Sequence, residues 1–85
     1  GVYSVTVAPM SVGITGAGTS QLTATVIVDT GTAQTVTWAS ADAGVATVDS
    51  AGIVTAVANG TTTITATSTV DATKSDSATV VVSGI

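Results

Sequence analysis

The chain has 85 residues with one Lys, five Asp and no Arg, His, Glu or Cys, giving a formal net charge of -4. With a lone Lys against five Asp there is almost nothing to neutralise phosphates or release counterions, so nucleic-acid binding is not expected. Without His or Cys there is no thiolate, no zinc or iron–sulfur site and no Ser-His-Asp triad. Thr (19), Val (15), Ala (14), Ser (9) and Gly (9) together make up 66 of the 85 positions. That is the composition of a single β domain spanning residues 1–85, with no linker and no internal repeat.

The elements follow a period of two from the start. Tyr3, Val5 and Val7 alternate with Ser4 and Thr6, and Pro9 closes that strand because it donates nothing to a ladder. Val12 and Ile14 form a short second piece that ends at Gly16-Ala17-Gly18. Leu22, Ala24, Val26 and Val28 then share a face, with Ile27 the apolar exception on the other. After the loop at Asp29-Thr30-Gly31, Val36 and Trp38 point one way and Thr35, Thr37 and Ala39 the other. Residues 40–44 read as a turn and Val45–Val48 as a short strand. Asp49-Ser50-Ala51-Gly52 is a hairpin connection in which Gly52 supplies a positive φ.

Ile53–Ala58 returns, and Asn59-Gly60 is the strongest local hairpin signal, expected as a type I′ turn. Thr61–Thr69 follows, with Ile64 and Ala66 inward and Thr63, Thr65 and Thr67 outward. Residues 71–76 read as a polar loop, and Ala78, Val80 and Val82 form the inner row of the last strand. Seven or eight strands separated by frequent turns, with no helical period, predict an all-β sandwich of two antiparallel sheets. The predicted core is Leu22, Ala24, Val36, Trp38, Ala46, Val48, Ile64, Ala66, Val80 and Val82, with Gly52, Asn59 and Gly60 at turns. Trp38, the single indole, is expected to fill the centre between the sheets.

Each group that could carry chemistry also has a plainer reading. Asp42, Asp49, Asp71 and Asp76 are carboxylates of the kind that calcium sites use, but their spacing fits no 12-residue calcium loop and each suits a solvated turn. Lys74 sits in a polar loop, away from the buried acid an isopeptide cross-link needs. Asn59-Gly60-Thr61 is formally a glycosylation sequon, which the hairpin reading explains better. The outward Thr rows are a solvated β face or a hydroxyl-rich surface for weak contacts, which Tyr3 or Ile27 could anchor. No pair of carboxyls suits glycosidase chemistry, and no catalytic, cofactor or metal residue is assigned. The longest apolar run, as at Val80–Val82, is three residues against the roughly 18 of a spanning helix, so membrane insertion is not expected.

A series of short motifs carries a family resemblance. Val36-Thr37-Trp38-Ala39-Ser40-Ala41-Asp42, Val45-Ala46-Thr47-Val48-Asp49, Gly52-Ile53-Val54-Thr55-Ala56-Val57, Gly60 and Thr63-Ile64-Thr65-Ala66 follow one another at fixed spacing. They resemble the bacterial immunoglobulin-like domain group 2 family, as do the opening Val5-Thr6-Val7-Ala8-Pro9, Leu22-Thr23-Ala24 and the closing Val strand. The resemblance implies a disulfide-free immunoglobulin-like sandwich, excised from a longer extracellular protein and flanked by its neighbouring domains. It implies a non-catalytic module of bacterial surface adhesins of the intimin and invasin kind, or of phage tail, capsid or fibre proteins. Such a module would space its parent and attach weakly to host cell-surface glycans or proteins. The alternatives are a purely structural spacer and an accessory domain of a secreted carbohydrate-active enzyme.

Overall fold

The computed structural model describes residues 2–8 and 10–85; Gly1 and Pro9, the residue expected to close the first strand, lie outside them. The described residues form nine strands and no helix: β1 (Val2–Ala8), β2 (Ser11–Thr15), β3 (Thr19–Gln21), β4 (Thr23–Val28), β5 (Val36–Ser40), β6 (Ala46–Val48), β7 (Ile53–Ala56), β8 (Gly60–Ser68) and β9 (Ser75–Ser83). One layer is a four-stranded sheet in the order β2-β9-β8-β5. The other combines β1-β4 with β3-β7-β6, joined because β3 runs into β4 through a single residue, Leu22. Beyond the eight pieces read from periodicity, β3 is the additional strand. Its Thr-Ser-Gln sequence has no apolar residue to mark it.

The alternation drives the packing. Val5 and Val7 from β1, Val26 from β4, Val54 from β7, Ile64 and Ala66 from β8, and Ala78, Val80 and Val82 from β9 fill the space between the layers. Leu22, Val7, Val54, Ile64 and Val80 are the largest fully buried side chains. Thr62 and Ser68 extend the inner row of β8 at either end and are buried despite their hydroxyls. Each has work for its oxygen. Thr62 Oγ1 accepts from the Asp42 N–H at 2.9 Å, and Ser68 Oγ accepts from the N–H groups of Val70 and Asp71 at 3.2 and 3.1 Å.

Three expectations change. The last sheet is not wholly antiparallel: β2 runs parallel to β9, with Val12 opposite Val80 and Ile14 opposite Val82. The chain crosses from β4's sheet to β9's between β1 and β2 and keeps its direction, so it meets the final strand head to head. Asn59-Gly60 is not a hairpin turn, since β7 pairs with β6 and β3 whereas β8 pairs with β5 and β9. A type I′ turn needs φ > 0 at both central residues, but among the described residues only glycines have positive φ. The link instead carries the chain across the sandwich, with Val57 and Ala58 both donating to the Val45 carbonyl. Asn59 holds the far end of the chain: its Nδ2 donates to Ile85 O at 3.1 Å and its Oδ1 accepts from Ile85 N at 2.8 Å.

Asp76 is the third change. It lies in β9 rather than a loop, and its Oδ2 accepts the N–H of the fully buried Val7 at 2.8 Å. A carboxylate thus ties the outer edge of β1 to the opposite layer.

The body measures 45 × 17 × 16 Å, with a radius of gyration of 13.2 Å. A compact chain of this length would give about 12 Å, so the domain is elongated. Val2 lies opposite Val28 at one end, and Thr15 lies opposite Ser83 at the other. The first described residue and the last therefore sit at opposite poles.

Candidate functional site

Trp38 does not fill the centre of the sandwich. It is half-buried, at the side where β5 faces the β3–β4 junction, and it packs against the core from its margin. The reason lies in β5's position as the outermost strand of its sheet: an inward residue there looks over the rim of the other layer, not into its middle. The space beside the indole is an open cleft of about 230 Å³. Val36 and Trp38 form one wall, Leu22, Thr23 and Ala24 the other, and Gln21 and Ala51 the end. The Gln21 amide closes that end by donating to the carbonyls of Leu22 (2.6 Å) and Ala51 (2.8 Å).

The hairpin between β6 and β7 is built to receive the indole. Asp49 Oδ1 accepts from the N–H groups of Ala51 and Ile53, and Gly52 turns the chain at φ +81°. A Cβ at Gly52 would lie 2.6 Å from the Leu22 carbonyl oxygen and 2.9 Å from Trp38 Cζ2. The Trp ring therefore rests directly on glycine backbone, which links two separate motifs of the sequence through one contact.

The remaining core positions read from sequence divide by burial. Leu22, Ala46, Ile64, Ala66, Val80 and Val82 are buried, while Ala24, Val36 and Val48 are half-buried and pack against them. Val2, Val5, Val7, Val12, Ile14, Val26, Val54, Ala56 and Ala78 complete the buried set. Their period-two spacing carries the same signal.

The acids act locally. Asp42 Oδ1 accepts from the Gly44 N–H at 3.0 Å. Asp71 Oδ1 accepts from the Thr73 hydroxyl (2.6 Å) and the Thr73 N–H (3.0 Å), and these two donors hold its carboxyl below its ordinary value. Lys74 lies in the same turn, its N–H donating to the Asp71 carbonyl. Among the described residues no group of acids is placed to hold a metal ion, and no helix is long and apolar enough to cross a membrane.

The outer faces carry the other exposed features. Tyr3 (65% exposed) and Ile27 (50%) stand close together on the outside of the β1–β4 pair, where Ser4 lies opposite Ile27. Of the β8 Thr row, Thr61 is exposed, while Thr63, Thr65 and Thr67 are half-buried among β9 and β5 neighbours.

One layer of β1, β4, β7 and β6 against β5, β8 and β9, with β2 added beside the last strand, is the connectivity of an immunoglobulin-like sandwich. Here the inter-sheet disulfide is absent and aliphatic packing stands in its place. The family model for the bacterial Ig-like domain (group 2) matches residues 1–82, and the chain belongs to that family. Among solved structures it is similar to intimin in an intimin–Tir90 complex, with a TM-score of 0.64 and 23% identity. That match covers 92% of this chain and 45% of the intimin chain. No curated protein sequence matches.

Proposed function

We propose that the domain is a non-catalytic spacing and adhesion module of a protein displayed on a bacterial surface or on a phage virion, as part of a tail, capsid or fibre protein. The observation that carries this reading is the 45 Å body with the chain entering at one pole and leaving at the other. Such a unit advances a tethered neighbour by its full length without needing a ligand. Family membership and the likeness to intimin, solved with a protein partner, support the adhesive half of the reading. Weak contact with host cell-surface protein or glycan would use the exposed faces, since the chain offers no His, Cys, Glu or Arg for chemistry.

The test replaces the domain, within its parent protein, by a flexible Gly/Ser linker of equal residue number. Assembly is expected to survive while adsorption to host cells falls, and the isolated domain should bind those cells measurably. If linker replacement lowers adsorption but the isolated domain binds nothing, spacing alone is the function. If adsorption is unchanged, or an adjacent hydrolase loses activity on its polymer, the reading fails.

A further inference from the structure

Unpaired strand edges invite other chains, and proteins normally block them. Three edges of this sandwich are blocked by a side chain on a backbone group. Asp76 takes the outward N–H of Val7 on β1, Gln34 Nε2 donates to the outward carbonyl of Val26 on β4 (3.0 Å), and Ser40 Oγ donates to the carbonyl of Ala46 on β6 (2.6 Å). β5 is treated differently. Its ladder with β8 is bounded by the Thr69 N–H to Thr35 carbonyl bond and the Ala41 N–H to Thr63 carbonyl bond. Because bonded and non-bonded pairs alternate along an antiparallel ladder, Thr35, Thr37, Ala39 and Ala41 turn their backbone groups toward β8. Val36, Trp38 and Ser40 turn theirs outward, and the N–H and C=O groups of Val36 and Trp38 are the four at the middle of the edge. Among the described residues no side chain occupies those four groups, and the 230 Å³ cleft opens directly beneath them.

We propose that β5 is a self-pairing edge, and that its occupant is β5 of a second copy of this chain, antiparallel about a two-fold axis through Thr37. This register follows from the geometry. It sets Val36 opposite Trp38 of the other copy, and Trp38 opposite Val36, so the four outward backbone groups on each strand bond one another. Thr37 faces Thr37 as the close, non-bonded pair on the outside. On the inside each indole meets a Val, an aromatic–β-branched pair that favours antiparallel pairing, and the two pairs roof the adjoining clefts.

Charge selects a second copy over a charged peptide. No residue from Thr30 to Ala41 is ionisable, so like strands meet without repulsion although each copy carries -4 overall. The joined strand is short and buries less than the roughly 1,000 Å² a stable dimer needs. Association is therefore weak, with Kd of about 0.1–1 mM. It gains strength only where several copies are held side by side.

The test is a dilution series of the domain from about 2 mM to 0.02 mM, a span bracketing that Kd on both sides, followed by amide and indole NMR shifts and by sedimentation. Concentration-dependent shifts are expected at residues 35–39, at the Trp38 indole and at Leu22–Ala24, with the sedimenting mass rising toward two copies. Thr37→Lys and Thr37→Asp place like charges against each other across the axis, and each is expected to stay monomeric with its thermal unfolding retained. Mixing the two variants is expected to restore association, because Lys then faces Asp. A series that shows no shifts at 2 mM, shifts centred instead on Tyr3 and Ile27, or single variants that associate as well as the parent would overturn the proposal.

Discussion

Gly52→Ala separates two effects that usually arrive together. The substitution forces an L-residue to φ +81°, which costs about 1–2 kcal/mol. It also places a Cβ 2.6 Å from the Leu22 carbonyl oxygen and 2.9 Å from Trp38 Cζ2. Leu22 is also tied to the hairpin by its own N–H, which donates to Gly52 O at 2.9 Å, so strand and hairpin must part to make room. Overpacking of this kind adds about 1–3 kcal/mol, for a total of about 2–5 kcal/mol. A domain of this size has roughly 4–13 kcal/mol to lose. Gly31→Ala is the control: its φ is +86° and a Cβ there meets nothing within 4 Å. It should lose the conformational part alone. Urea unfolding followed by far-UV circular dichroism reads both variants without relying on Trp38. The expected gap between them is about 1–3 kcal/mol, or about 4–24 °C in Tm. If the two variants lose the same stability within about 0.5 kcal/mol, the indole does not rest on the hairpin as described and the contact between the two motifs is wrong.

Trp38→Ala should cost about 2–3 kcal/mol, less than the 3–5 kcal/mol of a fully buried indole, and native Trp38 emission should be quenched by acrylamide to an intermediate degree; complete protection would refute the marginal placement. Asp76→Ala leaves the N–H of buried Val7 without an acceptor and should cost about 1–3 kcal/mol in chemical denaturation, whereas Asp76→Asn, which keeps a carbonyl oxygen, should recover most of it. Asp71 is held below its ordinary value of 3.8 by the Thr73 hydroxyl and N–H. The stability it lends the turn is thus present above 3.8 and lost as pH falls through the lower folded value. A carboxyl carbon titration with a midpoint at or above 3.8 would contradict those two bonds.

The fold was legible because one signal repeats in every strand but β3. Val and Thr alternate so regularly that the inward rows of β1, β4, β8 and β9 can be read directly, down to Ile64, Ala66, Val80 and Val82. The errors share a single cause. Asn59-Gly60 has the local chemistry of a tight hairpin, yet the next strand pairs in the other sheet, and nothing in two residues reports sheet membership. Trp38 has the size of a central core residue, yet its place depends on β5 being an edge, which is a property of the whole strand order. Thr62 shows the same gap on a smaller scale. Its position two residues before Ile64 puts it on the inner face, but only the Asp42 N–H reaching back to it and the Ser40 hydroxyl beside it explain why a hydroxyl is tolerated there.

The candidate site was less legible than the fold for a related reason. In an enzyme the working groups are rare residue types that stand out in the sequence, and here they are backbone N–H and C=O groups that every residue carries. What distinguishes Val36 and Trp38 is that their backbone groups face outward beside an open cleft while Asp76, Gln34 and Ser40 occupy the comparable groups on β1, β4 and β6. The sequence does hold one trace of this. The uncharged stretch from Thr30 to Ala41 lacks the Lys that commonly guards an edge strand, and its meaning emerges only once β5 is known to be outermost. A single charge at position 37 would close that edge at little expense in stability, since Thr37 is exposed and its hydroxyl reaches the Thr67 carbonyl only at 3.5 Å. That an exposed position so easily guarded is left neutral is the reason to test self-pairing before any foreign ligand.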